Sequence, residues 1–185
     1  MKKAFTIFAA VLLMAGFSNT VMAQGTAAST STAAGAVLIV PMTINQTAPL
    51  HFGSITILST TAANTVTLPS NSISRVFSTG VEAAGVGSDP ATNAAYDVTG
   101  TYNETYALVL PTAAITLTEV GGTNAATMTV DAFTARFNGA AANATTSTLS
   151  ATGTDDFTLG ATLNLAIAQT GGVYGGTFPV SVDYN

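Results

Sequence analysis

Apolar residues recur at every second position along short runs of this chain, and turn residues bound those runs. The last of them is the clearest: Phe178, Val180, Val182 and Tyr184 fall on one face of an extended segment that follows the turn Gly171-Gly172-Val173-Tyr174-Gly175-Gly176. Period-two runs rich in Val, Thr and aromatic residues predict β-strands, and their recurrence between turns predicts an antiparallel sandwich. Strands are expected over 36–44, 50–58, 65–68, 74–78, 94–101, 105–110, 114–119, 127–137, 157–168 and 173–184. No later stretch has the 3.6-residue periodicity of a long helix. Pro41 and Pro179 lack an amide hydrogen, so the first and last runs are expected at sheet margins or broken at the proline. The sequence given ends on that last run, which suggests an open sheet edge and the carboxylate of Asn185 within reach of a partner.

The first residues differ in kind. Lys2 and Lys3, the apolar stretch Ala4 to Phe17 and the small-residue site Val21-Met22-Ala23 have the order of an export signal, with cleavage expected before Gln24. The apolar stretch is shorter than the roughly 20 residues of a spanning helix, so the mature chain is expected to hold no transmembrane segment. We therefore expect a signal peptide over 1–23, a flexible small-residue extension over 24–35 and a single β-sandwich domain over 36–185. The protein is then exported to the periplasm, the cell surface or the extracellular space.

Loss of both lysines with the signal leaves two basic side chains, Arg75 and Arg136, against nine acidic ones, a net charge of −7. Nucleic acid and anionic lipid need clustered Lys and Arg to neutralise their phosphates, so neither is an expected partner. Cysteine is absent, and stability must come from the core and from backbone pairing.

The chemical inventory argues against an enzyme. His51 is the lone histidine and alternates outward between Leu50 and Phe52, while no nucleophile elbow, phosphate loop or zinc spacing occurs. Glu104 or Glu119 with a distant aspartate is the residual glycosidase pair. Asp155 and Asp156 are candidate calcium ligands, read more simply as a solvated turn before the strand at Phe157. Tyr96, Tyr102 and Tyr106 are candidates for a sugar platform or for core packing. No cofactor, metal or catalytic residue is expected.

Several segments together resemble a known family. They are Leu50-His51-Phe52-Gly53, Tyr96-Asp97-Val98-Thr99-Gly100 leading to Tyr106-Ala107-Leu108-Val109-Leu110-Pro111, Phe157 to Leu163, and the stretch from Gly172 to Asn185. In order and spacing the chain resembles domain of unknown function 4402, secreted bacterial proteins similar to spore coat protein U and to chaperone-usher pilins. That resemblance implies an all-β, antiparallel, immunoglobulin-like or pilin-like sandwich. It also implies assembly through the last strand (Gly172, Phe178, Val180, Val182, Tyr184, Asn185), with a periplasmic chaperone and an outer-membrane usher as partners and self-association into filaments. Val37, Ile39, Met42 and Ile44 are then the candidate donor strand for a neighbour. The chain lacks the disulfide common in such pilins, and its extension over 24–35 lacks bulky residues. Either 36–44 is donated, or the sandwich completes itself and serves as an adhesin-like module for a glycan or surface protein, with loops 83–95 and 139–148 as its binding surface.

Overall fold

A computed structural model of the chain describes residues 29–85, 89–122 and 125–185. The expected signal peptide and the first residues of the extension, Gln24 to Ala28, lie outside the described residues. Leu38–Asn185 is one compact unit. Residues 29–37, taken by themselves, are exposed and have no regular secondary structure.

The compact unit is the all-β antiparallel sandwich that the alternating runs predict. Its strands are β1 (Thr43–Ala48), β2 (Ile55–Ile57), β3 (Asn64–Leu68), β4 (Val76–Phe77), β5 (Val81–Ala83), β6 (Ala94–Thr99), β7 (Thr105–Val109), β8 (Ile115–Glu119), β9 (Thr127–Phe137), β10 (Thr146–Thr148), β11 (Thr154–Leu165), β12 (Tyr174–Gly175) and β13 (Ser181–Tyr184). No described residue is helical, and none belongs to a helix long and apolar enough to cross a membrane.

β11 organises the larger sheet. One of its edges pairs with β9, while the other pairs with β6 over Thr154–Leu159 and with β3 over Ala161–Leu165. Gly160 sits at that change of partner, where a Cβ would run into the backbone of Leu68, Pro69 and Ser70, so only glycine lets the two strands share one edge. Beyond them the sheet continues to β1 on one side and through β9 to β8 and β12 on the other. β9 carries a bulge opposite Gly160–Thr162, with Ala132 at φ 49°.

Two smaller sheets complete the fold, β10-β7-β13 and β2-β5. The first closes a core of Tyr96, Val98, Tyr106, Leu108, Phe137, Leu149, Phe157 and Leu159. Its rings interlock, with Phe157 stacked on Tyr96 at 5.0 Å and edge-on to Phe137 at 5.6 Å. The second sheet belongs to a core of Phe52, Val66, Leu68, Val81, Val130, Leu163 and Leu165. Phe52, Val98, Leu108, Phe157, Leu159 and Leu163, each on the inward face of its alternating run, are buried, and Leu50, Leu110 and Tyr184 pack half-buried against the cores.

Both prolines act as breaks. The first strand was expected from Ala36 but begins only at Thr43, beyond Pro41. The last run is not one strand: β12 pairs with β8, Gly176–Val180 has no strand partner among the described residues, and β13 resumes after Pro179 on β7. β5 and β10 were not expected, since a three-residue strand carries too little alternation to stand out. β11 starts earlier than Phe157 and takes in Asp155 and Asp156, which therefore lie on a strand and not in a turn.

Candidate functional site

The candidate site is built from the last strand and the segment that enters β1. Phe178, Val180, Val182 and Tyr184 pack half-buried against the first core, on one face as period two requires, and Phe178 also meets Phe133 at 4.8 Å. Gly172 lies outside the strands against the Glu119 side chain. Asn185 is exposed and donates its backbone N–H to Thr105 at 3.1 Å. Among the described residues β13 pairs with β7 alone, so its second edge carries no strand there.

Tyr184 does something that its place on an apolar face does not announce. Its hydroxyl accepts the Thr101 backbone N–H at 2.6 Å and donates to the Val40 carbonyl at 2.7 Å. Val40 in turn donates its N–H to the Thr101 hydroxyl at 2.7 Å. The three residues form a latch that ties the root of the N-terminal arm to the end of β6 and to the last strand. Outside it the chain is apolar and bare: Val37 is 87% exposed, Leu38 86%, Ile39 61% and Val40 51%. Inside it, Met42 and Ile44 pack on the first core, and Ile44 sits opposite Val98 in the β1–β6 ladder. The four candidate donor residues are thus divided, with Val37 and Ile39 free in solvent and Met42 and Ile44 part of the chain's own domain. Thr101 was missed by sequence reasoning, because a lone threonine after Gly100 carries no distinguishing signal.

A cavity of about 530 Å³ opens over the second core. Its floor is the larger sheet, at Leu117, Val130 and Leu163, and its walls are β2 and the glycine-rich segment that leads to Phe178. His51 and Asp89 stand at its polar side. Arg75 fixes the wall preceding β2, donating through Nη1 to the Phe52 carbonyl at 2.7 Å and the Ser54 carbonyl at 2.9 Å, and it lies 5.0 Å over the Phe77 ring.

The remaining candidates disperse. His51 is exposed, as alternation predicts, and its Nδ1 accepts the Gly53 N–H at 3.0 Å in a local turn. Glu104 precedes β7 and Glu119 ends β8, elements of different sheets. Among the described residues no three His, Asp or Glu side chains gather as metal ligands. Tyr96 and Tyr106 are buried and Tyr102 is exposed, so the three tyrosines form no common platform. In the loop 139–148, β10 pairs with β7, and Asn143 accepts from Ser70 Oγ at 2.8 Å and from Arg136.

Asp155 serves the core. It accepts hydrogen bonds from the Tyr106 hydroxyl at 2.9 Å and from Ser147 Oγ at 2.6 Å. Burial, reinforced by the hydrogen bond and charge of Asp155, pushes the Tyr106 pKa well above the usual tyrosine value, and burial alone raises that of Tyr96. The native phenols hold their protons more tightly than the unfolded chain does. The stability this confers is fully present below about pH 10, and it is lost as pH rises from there toward the folded values. Unfolding free energies from urea denaturation between pH 8 and pH 11.5 are expected to fall above about pH 10, by up to ~1.4 kcal/mol per pH unit from Tyr106, with Tyr96 adding to the fall in the same direction. Tyr106→Phe should remove its share of that slope.

No curated protein and no solved structure matches the chain. The family described as Domain of unknown function (DUF4402) matches residues 42–184, from the entry of β1 to the tyrosine of the latch, and the chain belongs to that family.

Proposed function

We propose that the protein is a structural or assembly subunit of the cell surface, pilin-like, which joins its neighbours by β-strand pairing. The exposed run Val37-Leu38-Ile39-Val40 carries this reading. Four consecutive large apolar residues held in water are a standing cost of burial forgone, about 1.5 to 3 kcal/mol for each side chain that a partner would cover. The latch roots that run at residue 40 and leaves it outside the chain's own sheets. β13, with one unpaired edge, offers a second place for backbone pairing. Export through the signal sequence, with a periplasmic chaperone shielding the apolar run and an outer-membrane usher assembling the subunits, is the route this reading implies.

The test is self-association of the exported chain, followed by light scattering and electron microscopy as concentration rises. Oligomers or filaments are expected, and deletion of residues 29–39 should leave a folded monomer because it spares every strand and both cores. A chain that stays monomeric at high concentration with its arm intact would defeat the proposal in favour of a self-contained binding module.

A further inference from the structure

Glu119 carries a carboxylate oxygen that the fold leaves unsatisfied. In β8 the residues Ile115, Leu117 and Glu119 are half-buried and alternate with exposed threonines, so Glu119 stands on the face whose first two members line the 530 Å³ cavity. Its Oε2 is buried and has no hydrogen-bond partner among the described residues. Gly122 and Gly172 lie against the carboxyl group, and a Cβ on either would crowd it. Gly172 is also part of the cavity wall, so the carboxylate lies directly behind that wall. Gly171 and Gly172 are exposed, and no backbone hydrogen bond among the described residues holds them, so the wall yields here at little cost. Buried polar groups find partners, and an ionised one left without any is costly. The chain supplies no cation for it: Arg75 and Arg136 are the only Lys or Arg side chains among the described residues, and they donate to the Phe52 and Ser54 carbonyls and to Asn143.

We propose that the cavity binds a small cationic amphiphile, with its apolar body on Leu117, Val130 and Leu163 and its ammonium group against Glu119. The proposal is independent of the assembly reading. A volume of about 530 Å³ falls within the roughly 300 to 1,000 Å³ of small-molecule sites, and an apolar floor with few polar groups is their usual lining. Charge selects the head group. Asp89 is the one carboxylate among the lining residues, Glu119 stands behind the wall, and no lining residue is Lys or Arg, so a carboxylate head would meet two like charges. Charge also sets the orientation. Arg75 holds the Phe52 and Ser54 carbonyls on the Asp89 side, where Ser54 donates its N–H to the Asp89 carbonyl at 3.0 Å, and it opposes a second cation there. At the other end the head group meets glycine and the Glu119 carboxylate instead. A water or a metal ion alone would satisfy Oε2 and leave the floor wet, whereas an alkylammonium covers both.

Octylamine, 1-octanol and octanoate share one chain length and differ in the head, and titrating each into the whole exported chain at pH 7 tests this by calorimetry and methyl NMR. Octylamine should shift the methyl signals of Leu117, Val130 and Leu163 and bind at least tenfold more tightly than octanol, with octanoate weakest. Glu119→Gln keeps the shape of the side chain and should bring octylamine to the octanol affinity while leaving octanol unchanged. Asp89→Asn removes the same charge on the Arg75 side and should weaken octylamine less than threefold. Equal losses in the two variants would mean a general attraction to a negative surface and overturn the proposal. Octanol or octanoate binding as tightly as octylamine would make the cavity a purely apolar or fatty-acid site, and methyl signals that none of the three moves would leave no site; either result overturns it. Calcium ions that shift the Glu119 signals, where octylamine does not, would assign the carboxylate to a metal and overturn it too. If Glu119→Gln does not fold, the order of the three probes on the wild type still decides.

Discussion

Phe157→Ala is expected to destabilise the domain by about 3 to 5 kcal/mol, the range for emptying a buried phenylalanine site. Phe157 lies on β11, the strand that pairs with β6, β3 and β9, and it is 1% exposed. Tyr96 stacks on it and Phe137 meets it edge-on, so the substitution removes two aromatic contacts together with the apolar area. The cavity would be slow to collapse, because its walls are paired strands that cannot close without breaking ladders. Against a total of roughly 5 to 15 kcal/mol for a domain, this brings the variant close to unfolding. Urea denaturation followed by far-ultraviolet circular dichroism reads the change, and a loss below about 1 kcal/mol would contradict this packing.

Tyr184→Ala is expected to cost about 2 to 4 kcal/mol, less than a fully buried aromatic because the ring is half-buried at a sheet margin. It removes the ring from the β13 face and opens the latch, leaving the Thr101 N–H and the Val40 carbonyl without their hydroxyl partner. Tyr184→Phe separates the two effects. It keeps the ring and should cost only about 1 to 2 kcal/mol, the worth of the two hydrogen bonds. Both variants should speed hydrogen exchange at the Val40 and Thr101 amides, whereas a tyrosine important only for packing would leave those amides unchanged in Tyr184→Phe. Assembly should suffer in both, since an unlatched arm has no fixed register.

The candidate site was legible in part. The last strand's inward face could be read from Phe178, Val180, Val182 and Tyr184, because alternation is local and survives whatever the strand pairs with. The break within that strand was half legible: Pro179 announced a missing donor, but not that β12 and β13 would join different sheets. The division of the candidate donor residues was not legible, since Met42 and Ile44 alternate like Val37 and Ile39, and only the pairing of β1 with β6 separates them. The cavity left no trace, because its walls, β2 and the glycine-rich segment before Phe178, lie far apart in the chain.

The amino-acid order alone determined what depends on neighbours along the chain: the all-β class, the inward faces of the long strands, the outward turn of His51, and the breaks at Pro41 and Pro179. These follow from side-chain alternation and from the missing N–H of proline, which act within a few residues. Tertiary structure decided what depends on distant segments meeting. It put Asp155 beside Tyr106, set Gly160 where β6 gives way to β3, tied Tyr184 to Val40 and Thr101, and brought β2 and the glycine-rich segment before Phe178 to one apolar cavity. Hydrogen bonds and ladders of this kind join residues far apart in sequence, and a strand's period of two says which side faces inward without saying which strand lies next to it.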